Sequence, residues 1–209
     1  VYTLYDYYRS SAAYRVRIGL NLKGVEYHSM DVSLLNGDQR SPEHLARNPQ
    51  GFVPVLDVGE GVLTQSLAIL DYLDATHPEP RFVPADPLAR SRTLAMALTV
   101  ACDIHPLNNL RVLKYLGREL SVEEEARNDW YRHWVVQGFD ALEAMAGEGP
   151  FLGGDAPDMA DICLVPQTYN ARRFEVDLTR YPKLVAADAA AQEIEAFAAA
   201  HPDRVKPAS

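Results

Sequence analysis

The chain of 209 residues is poor in cysteine, poor in basic charge and without any long apolar run. Two cysteines, Cys102 and Cys163, are too few for a disulfide framework and do not stand at the spacing of a metal knuckle. Both sit among apolar neighbours in helical patterns and read as core residues, which fits a reducing, cytoplasmic setting. No stretch approaches the roughly 18 apolar residues that a membrane helix needs, and the opening residues carry no charged-then-apolar signal pattern. No membrane partner is therefore expected. Lys and Arg number 20 against 29 Asp and Glu, a formal charge of −9. That is the wrong footprint for a nucleic-acid partner, yet a few local arginines can make a positive pocket for a small anion on an acidic protein.

The chain does carry 47% apolar and 23% charged residues, enough to bury a core in one large domain or two compact ones. Its first 80 residues alternate between strand and helix signals. "VYTLYDY" reads as a strand and "SSAAYRVRIGLNLKG" as a helix, with Ala13, Val16 and Leu20 recurring at helical spacing and Arg15 and Arg17 away from that stripe. "VEYHSMDV" is a second strand. A polar loop with a short helix leads to "FVPVLDV", a Gly-Glu-Gly turn and "VLT", an antiparallel hairpin signal. "QSLAILDYLDATH" closes the segment as a helix. The order β-α-β-α-β-β-α predicts a small mixed sheet flanked by helices.

Composition then changes. "HPEPRFVPADP" holds four prolines in eleven residues and reads as a linker, 81–87, between an α/β domain at 1–80 and an all-helical domain at 88–209. Residues 88–117 form a long helical pattern that Pro106 should kink. "SVEEEARNDWYRHWVVQGFDALEAMAG" follows, with Ser121 and Glu124 at capping-box spacing and Trp130, Trp134, Leu142 and Met145 on one broad face. "PDMADICLVPQTYNARRF" is a further helix, and an alanine-rich helix is expected near 183–200.

Three short stretches carry chemistry. At Ser10 and Ser11 a strand ends and a helix begins; one serine would suffice as an N-cap, and Arg9 adds a cation. A helix N-terminus favours anions, and a hydroxyl donating to a thiolate lowers that thiol's pKa. No Cys-x-x-Cys lies here, so any sulfur chemistry needs an imported thiol. In "NPQGFVPV", a cis bond at Pro54 would turn the Val53 backbone toward the sheet end, where it could pair with a peptide-like ligand; a plain edge-strand proline is the alternative. In "QSLAIL", Gln65 and Ser66 stand at another helix start, at the same sheet end as Ser10. Two converging helix N-termini would clamp a carboxylate, although each is also an ordinary cap.

Taken together, the serine at the first strand end, Val-Pro before the third strand, Gln-Ser at the third helix and the helical domain resemble a cytosolic glutathione transferase. "RSSAAYRVRIGLNLKG" and "HPLNNLRVLKYL" resemble the zeta class, the class identified with maleylacetoacetate isomerase and closely related to maleylpyruvate isomerase. The likeness spans nearly the whole chain. It implies a thioredoxin-like N-terminal domain that binds glutathione and a helical C-terminal domain that supplies most of the other substrate's site. By resemblance, Ser10 and Ser11 lie near the glutathione sulfur. Gln39, Val53, Gln65 and Ser66 match positions that hold its backbone and γ-glutamyl end, and His105, Asn109 and Arg111 match a glutathione-contacting segment. Arg9, Arg111 and Arg173 match arginines for the carboxylates of a diketo-diacid substrate, while Arg172 reads as a surface residue. His105, beside Pro106, reads as structural before it reads as a base. Asp158 and Asp161 in "DMADICLVP" resemble the family's capping box and are assigned to folding. Ala12 departs from the pattern, since many zeta members have cysteine there.

The implied activity is glutathione-dependent cis–trans isomerisation of maleylacetoacetate to fumarylacetoacetate, by reversible thiolate addition, bond rotation and elimination. Maleylpyruvate isomerisation, glutathione conjugation and a non-catalytic binding module are the alternatives. Glutathione is the cofactor, no metal is implied, and the resemblance implies a homodimer.

Overall fold

In a computed structural model, residues 1–207 are described; residues 208 and 209, the last two of the expected helical domain, lie outside the described residues. The chain forms two compact units, one of residues 1–82 joined by the segment from Gln192 onward, the other of Val83–Ala191.

The first unit runs β1 (Tyr2–Asp6), α1 (Ser11–Leu22), β2 (Tyr27–Asp31), a 3-10 turn (Asp38–Arg40), α2 (Pro42–Arg47), β3 (Val55–Asp57), β4 (Val62–Thr64) and α3 (Ser66–Thr76). This is the expected order. The sheet is arranged β2-β1-β3-β4, with β1 and β2 parallel and the other neighbours antiparallel. Leu4 and Leu56 on the sheet, Val16, Ile18 and Leu20 on α1, and Ile69, Leu70 and Leu73 on α3 are all fully buried. Gly19 lets α1 close on α3, because a Cβ there would collide with Leu70. The arrangement is the expected thioredoxin-like α/β fold.

α1 departs from the amphipathic helix that its pattern suggests. Arg15 and Arg17, off the apolar stripe, are buried with the rest of the helix. A guanidinium tolerates burial only when paired, and Arg17 is held by Asp6 at 2.8 Å.

The second unit runs α4 (Pro87–Leu98), a π-helical stretch (Thr99–Ile104), α5 (Leu110–Arg118), α6 (Glu124–Met145), α7 (Met159–Arg173) and α8 (Pro182–Gln192). No strand occurs in it among the described residues. α7 is its axis, buried along most of its length and packed against α4. Val135, Phe139 and Leu142 form the buried face of α6, whereas Met145 at its end is exposed.

Several local expectations give way here. The 88–117 pattern is not one kinked helix: it ends at Leu98, widens into the π stretch, and restarts at Leu110 after the turn around Pro106. The added residue per turn rotates the face, which leaves Cys102 exposed while Cys163 is buried as expected. Ser121 and Glu124 form no capping box; Ser121 has φ 53° and α6 starts behind Glu123 without a side-chain cap. The alanine-rich helix breaks at residues 193–194, and α9 (Glu195–Ala199) and α10 (Pro202–Val205) follow. This last segment, expected in the helical domain, packs on α1 in the structure, where Asn21 Nδ2 donates to the Ala196 carbonyl at 2.9 Å.

Candidate active site

One rung of the sheet organises the site in the first unit. Tyr5 pairs with Val55, and Val55 with Thr64. Beyond that rung, at one end of the sheet, β1 runs on to Arg9 and Ser10, β3 is entered from Val53-Pro54, and β4 runs out into Gln65 and Ser66. Strand direction alone therefore sets two helix starts and an extended segment side by side. Tyr7 packs with Val53 and Val32 just outside the rung.

The two helix starts differ. Ser10 is the N-cap of α1, with ordinary extended dihedrals (φ −70°, ψ 118°), and its Oγ accepts the Ala13 N–H at 3.2 Å. Its carbonyl enters the helix ladder, accepting from Tyr14 N at 2.8 Å. Ser11 is the first helical residue and is buried. Arg9 donates to the Tyr7 hydroxyl at 3.1 Å and stands 5.1 Å from the centre of the Tyr8 ring, so its cation is held over the end of β1.

At α3, Gln65 occupies the cap position with φ 69° and ψ 115°, and no side chain accepts from the first turn. A positive φ costs a non-glycine residue about 1 kcal/mol or more, so the surrounding structure must impose it. Part of that constraint is visible. Gln65 Nε2 donates to Gln50 Oε1 at 2.8 Å, and buried Ser66 receives a hydrogen bond from Arg15 Nη1 at 3.3 Å. The loop that carries Gln50 continues into Gly51, whose φ of +65° and close approach to the Gln39 carbonyl leave no room for a Cβ (it would lie 2.9 Å from that oxygen). Gln39, Gly51, Gln50 and Gln65 thus form one chain of contacts. Gln39 Oε1 is buried and has no hydrogen-bond partner among the described residues.

The Val53–Pro54 bond is cis. Its approach is fixed from α2, where His44 Nε2 and Asn48 Nδ2 both donate to the Phe52 carbonyl, at 2.8 and 3.0 Å. The carbonyl can only accept, so His44 carries its proton on Nε2.

The remaining expected site residues belong to the second unit. His105 follows the π stretch and is half-buried; Asn109 caps α5, its Oδ1 accepting from Arg111 N at 3.0 Å; Arg111 stands exposed on the first helical turn. Arg173 ends α7, exposed, with Nη1 donating to Asn170 Oδ1 at 3.1 Å. Both places lean on Tyr131 of α6. Asn108 donates to the Tyr131 carbonyl at 3.2 Å, and Phe174 stacks on the Tyr131 ring at 3.6 Å and 4°. Burial pushes the Tyr131 hydroxyl's pKa well above its ordinary value, against the pull of Arg173. Arg172, read as a surface residue, is half-exposed and paired with buried Asp188 at 2.6 Å.

Asp158 and Asp161 form the full capping box of α7. Asp158 Oδ1 accepts from Ala160 N at 2.8 Å, and Asp161 Oδ2 accepts from Asp158 N at 3.0 Å. Thr93 Oγ1 and Leu152 N supply further donors, at 2.7 and 2.9 Å. Burial raises both carboxyl pKa values, and these donors oppose it.

Sequence reasoning finds Ser10, Val53 and Ser66 because each sits at a junction with a composition signal. It misses Gln50, Gly51, Arg15 and Arg17, which act through tertiary contacts. The one available hint for the arginines is their place in a helix whose other side chains are mostly apolar.

A four-stranded thioredoxin-like unit with a serine-capped first helix, a cis-proline and an open third helix, followed by a helical unit, defines the glutathione transferase architecture. Comparison agrees: residues 1–75 match the family described as glutathione S-transferase, N-terminal domain, and residues 124–200 match glutathione S-transferase, C-terminal domain. The chain belongs to the glutathione S-transferase family, in its zeta class. It is 52% identical over 207 residues to a maleylacetoacetate isomerase of Rhizobium meliloti, covering 98% of this chain and 97% of that one. Among solved structures it resembles the holo form of a maleylpyruvate isomerase, a bacterial zeta-class glutathione transferase, at TM-score 0.97 and 44% identity, covering 99% and 100% of the two chains. It also resembles a maleylacetoacetate isomerase of Anaeromyxobacter dehalogenans with glutathione bound in its active site, at TM-score 0.90 and 43% identity, covering 100% and 98%.

Proposed function

We propose that the protein is a glutathione-dependent cis–trans isomerase that converts maleylacetoacetate to fumarylacetoacetate. The observation that carries the glutathione part is the helix start at Ser66, which is strained and has no side-chain cap, at the same sheet end as capped Ser10. The residues present fit a γ-glutamyl peptide. The uncapped amides of α3 suit its carboxylate. The Val53 backbone suits its extended main chain, and the orphaned Gln39 Oε1 suits one of its N–H donors.

Bound glutathione supplies the nucleophilic sulfur whose reversible addition to the maleyl double bond lets that bond rotate. The chain's own residues do the rest. Ser10 Oγ accepts from Ala13 N, which leaves its hydroxyl proton to donate to a thiolate, and the N-terminus of α1 adds favourable potential. Ser11, the first helical residue, is buried. Gln65 and Ser66 fix the γ-glutamyl end. Arg9, Arg111 and Arg173 serve the two substrate carboxylates and the charge that develops on the substrate oxygen, because a planar guanidinium matches a carboxylate with two parallel hydrogen bonds. Asn109 acts through Arg111, whose backbone it caps, and His105 shapes the turn before it. Holding both reactants removes much of the entropy cost of their encounter.

The likeness to the Rhizobium meliloti enzyme supports maleylacetoacetate as the substrate. Maleylpyruvate is the second reading, supported by the TM-score of 0.97 to a maleylpyruvate isomerase. Relative kcat/KM on the two compounds tests the choice: a clear preference for maleylacetoacetate is expected, and equal rates or a preference for maleylpyruvate would reverse it. The proposal extends to a cytoplasmic homodimer, consistent with exposed Leu88 and Leu98 on α4 and with the absence, among the described residues, of a helix long and apolar enough to cross a membrane. Analytical ultracentrifugation should give twice the chain mass.

A further inference from the structure

Tyr14, Arg17 and Asn21 recur at helical spacing on α1 and share one neighbour, the C-terminal segment. Asn21 Nδ2 donates to the Ala196 carbonyl at 2.9 Å and Arg17 Nε to the Ala200 carbonyl at 3.0 Å. The Tyr14 hydroxyl accepts from Gln192 Nε2 at 3.5 Å, and its ring meets His201 edge-on at 6.2 Å. Arg17 is 1% exposed and has two further obligations. Its Nη1 donates to both Asp6 oxygens at 2.8 Å, and its Nη2 donates to the Tyr8 carbonyl at 2.9 Å. One guanidinium therefore spans the end of β1, the residue two before Ser10, and the last turns of the chain.

Asp6 alone would neutralise the buried charge. The bonds to Tyr8 and Ala200 do something else, because Tyr8 lies inside the turn closed by Ser10 N donating to the Tyr7 carbonyl at 2.8 Å. Fixing the Tyr8 carbonyl fixes the turn, and the turn aims the Ser10 hydroxyl. We infer that Arg17 is a positioning residue for the serine loop, and that the docked C-terminal segment steadies that loop through it. Lysine cannot replace it: a compact ammonium pairs with Asp6 but lacks the planar fork that reaches both carbonyls. The inference rests on the reading that Ser10 serves bound glutathione. Displacing a catalytic group by about 1 Å costs roughly 100-fold in rate.

The test is hydrogen exchange by mass spectrometry on the full chain, comparing wild type with Arg17→Lys and with Asn21→Ala, which touches only the C-terminal segment. Exchange at residues 8–13 should rise about tenfold in Arg17→Lys and by a smaller factor in Asn21→Ala, with α6 and α7 unchanged. Faster exchange confined to 192–201, with 8–13 at the wild-type rate, would overturn the inference. If Arg17→Lys does not fold, Asn21→Ala decides by the same readout. A second readout separates positioning from mere support. In Arg17→Lys, kcat should fall more than glutathione affinity, and the pH profile of kcat/KM should shift upward as thiolate stabilisation is lost. An equal loss in both with an unmoved profile would contradict it. A wild type that fails to bind glutathione would sink the proposed function, while the exchange result still judges Arg17.

Discussion

The helix starts of α3 and α7 are built in opposite ways. At α7, Asp158 and Asp161 accept from Ala160 N, Asp158 N, Leu152 N and Thr93 Oγ1, and the start is closed on itself. At α3, the cap position is held by Gln65 in a strained conformation and no side chain accepts from the first turn. A closed start contributes to folding and has no amide to offer a ligand; an open one gives up part of its cap energy and keeps its amides for an anion. Ser10 at α1 lies between them, since its oxygen caps while its proton stays available. Polar residues at helix starts in one chain thus differ in whether their partners are already inside the protein, and under the proposed function the open ones serve the ligand.

The largest effect should follow from opening the intermediate start. Under the proposed function Ser10→Ala removes the donor to the thiolate and should lower kcat by about 100-fold or more, in the range of a lost oxyanion-type donor. Only a cap's worth of stability, about 1 kcal/mol, should go with it. Steady-state kinetics beside thermal unfolding checks both numbers. At the closed start the effects should exchange places. Asp161→Ala leaves the Leu152 and Asp158 amides buried without acceptors and should cost about 3 kcal/mol in urea unfolding, with glutathione affinity retained in the folded fraction.

Smaller effects are expected at the open start. Gln65→Ala keeps the strained backbone and loses the side chain, and should weaken glutathione binding by about tenfold in calorimetry, near the worth of one hydrogen bond to a charged group. Gln65→Gly relieves the strain and should raise unfolding stability by about 1 kcal/mol, while glutathione binding still falls. An unchanged or lowered stability there would mean that the positive φ carries no strain, and the contrast between the two starts would weaken.

These starts also show what a sequence can declare. Ser10 was legible because a hydroxyl at the edge of an apolar helical run marks a cap, and Asp158 and Asp161 because they resemble a capping box, two polar side chains three residues apart. The order of elements was legible because period-2 and helical patterns alternate cleanly over the first 80 residues. Gln65 announced its helix start but not its dihedrals, since glutamine is not a residue that marks a positive φ. Ser121 carried the capping pattern without forming the box, because α6 begins two residues too late for it. Arg17 stands off the apolar stripe of α1 and gives no local sign of burial; its partners Asp6, Tyr8 and Ala200 lie outside the helix, and no local pattern encodes a partner some 180 residues away. Arg111 and Arg173 were identified by resemblance, and their exposure at helix ends gives no independent signal of a ligand.

The central claim is that glutathione acts here as a recycled cofactor in isomerisation. It is tested most directly by incubating the protein with maleylacetoacetate, with and without glutathione, and following both product and free thiol. The account predicts fumarylacetoacetate formation only when glutathione is present, with the free thiol concentration unchanged at the end. Stoichiometric loss of thiol into a stable conjugate, or isomerisation at the same rate without glutathione, would contradict it.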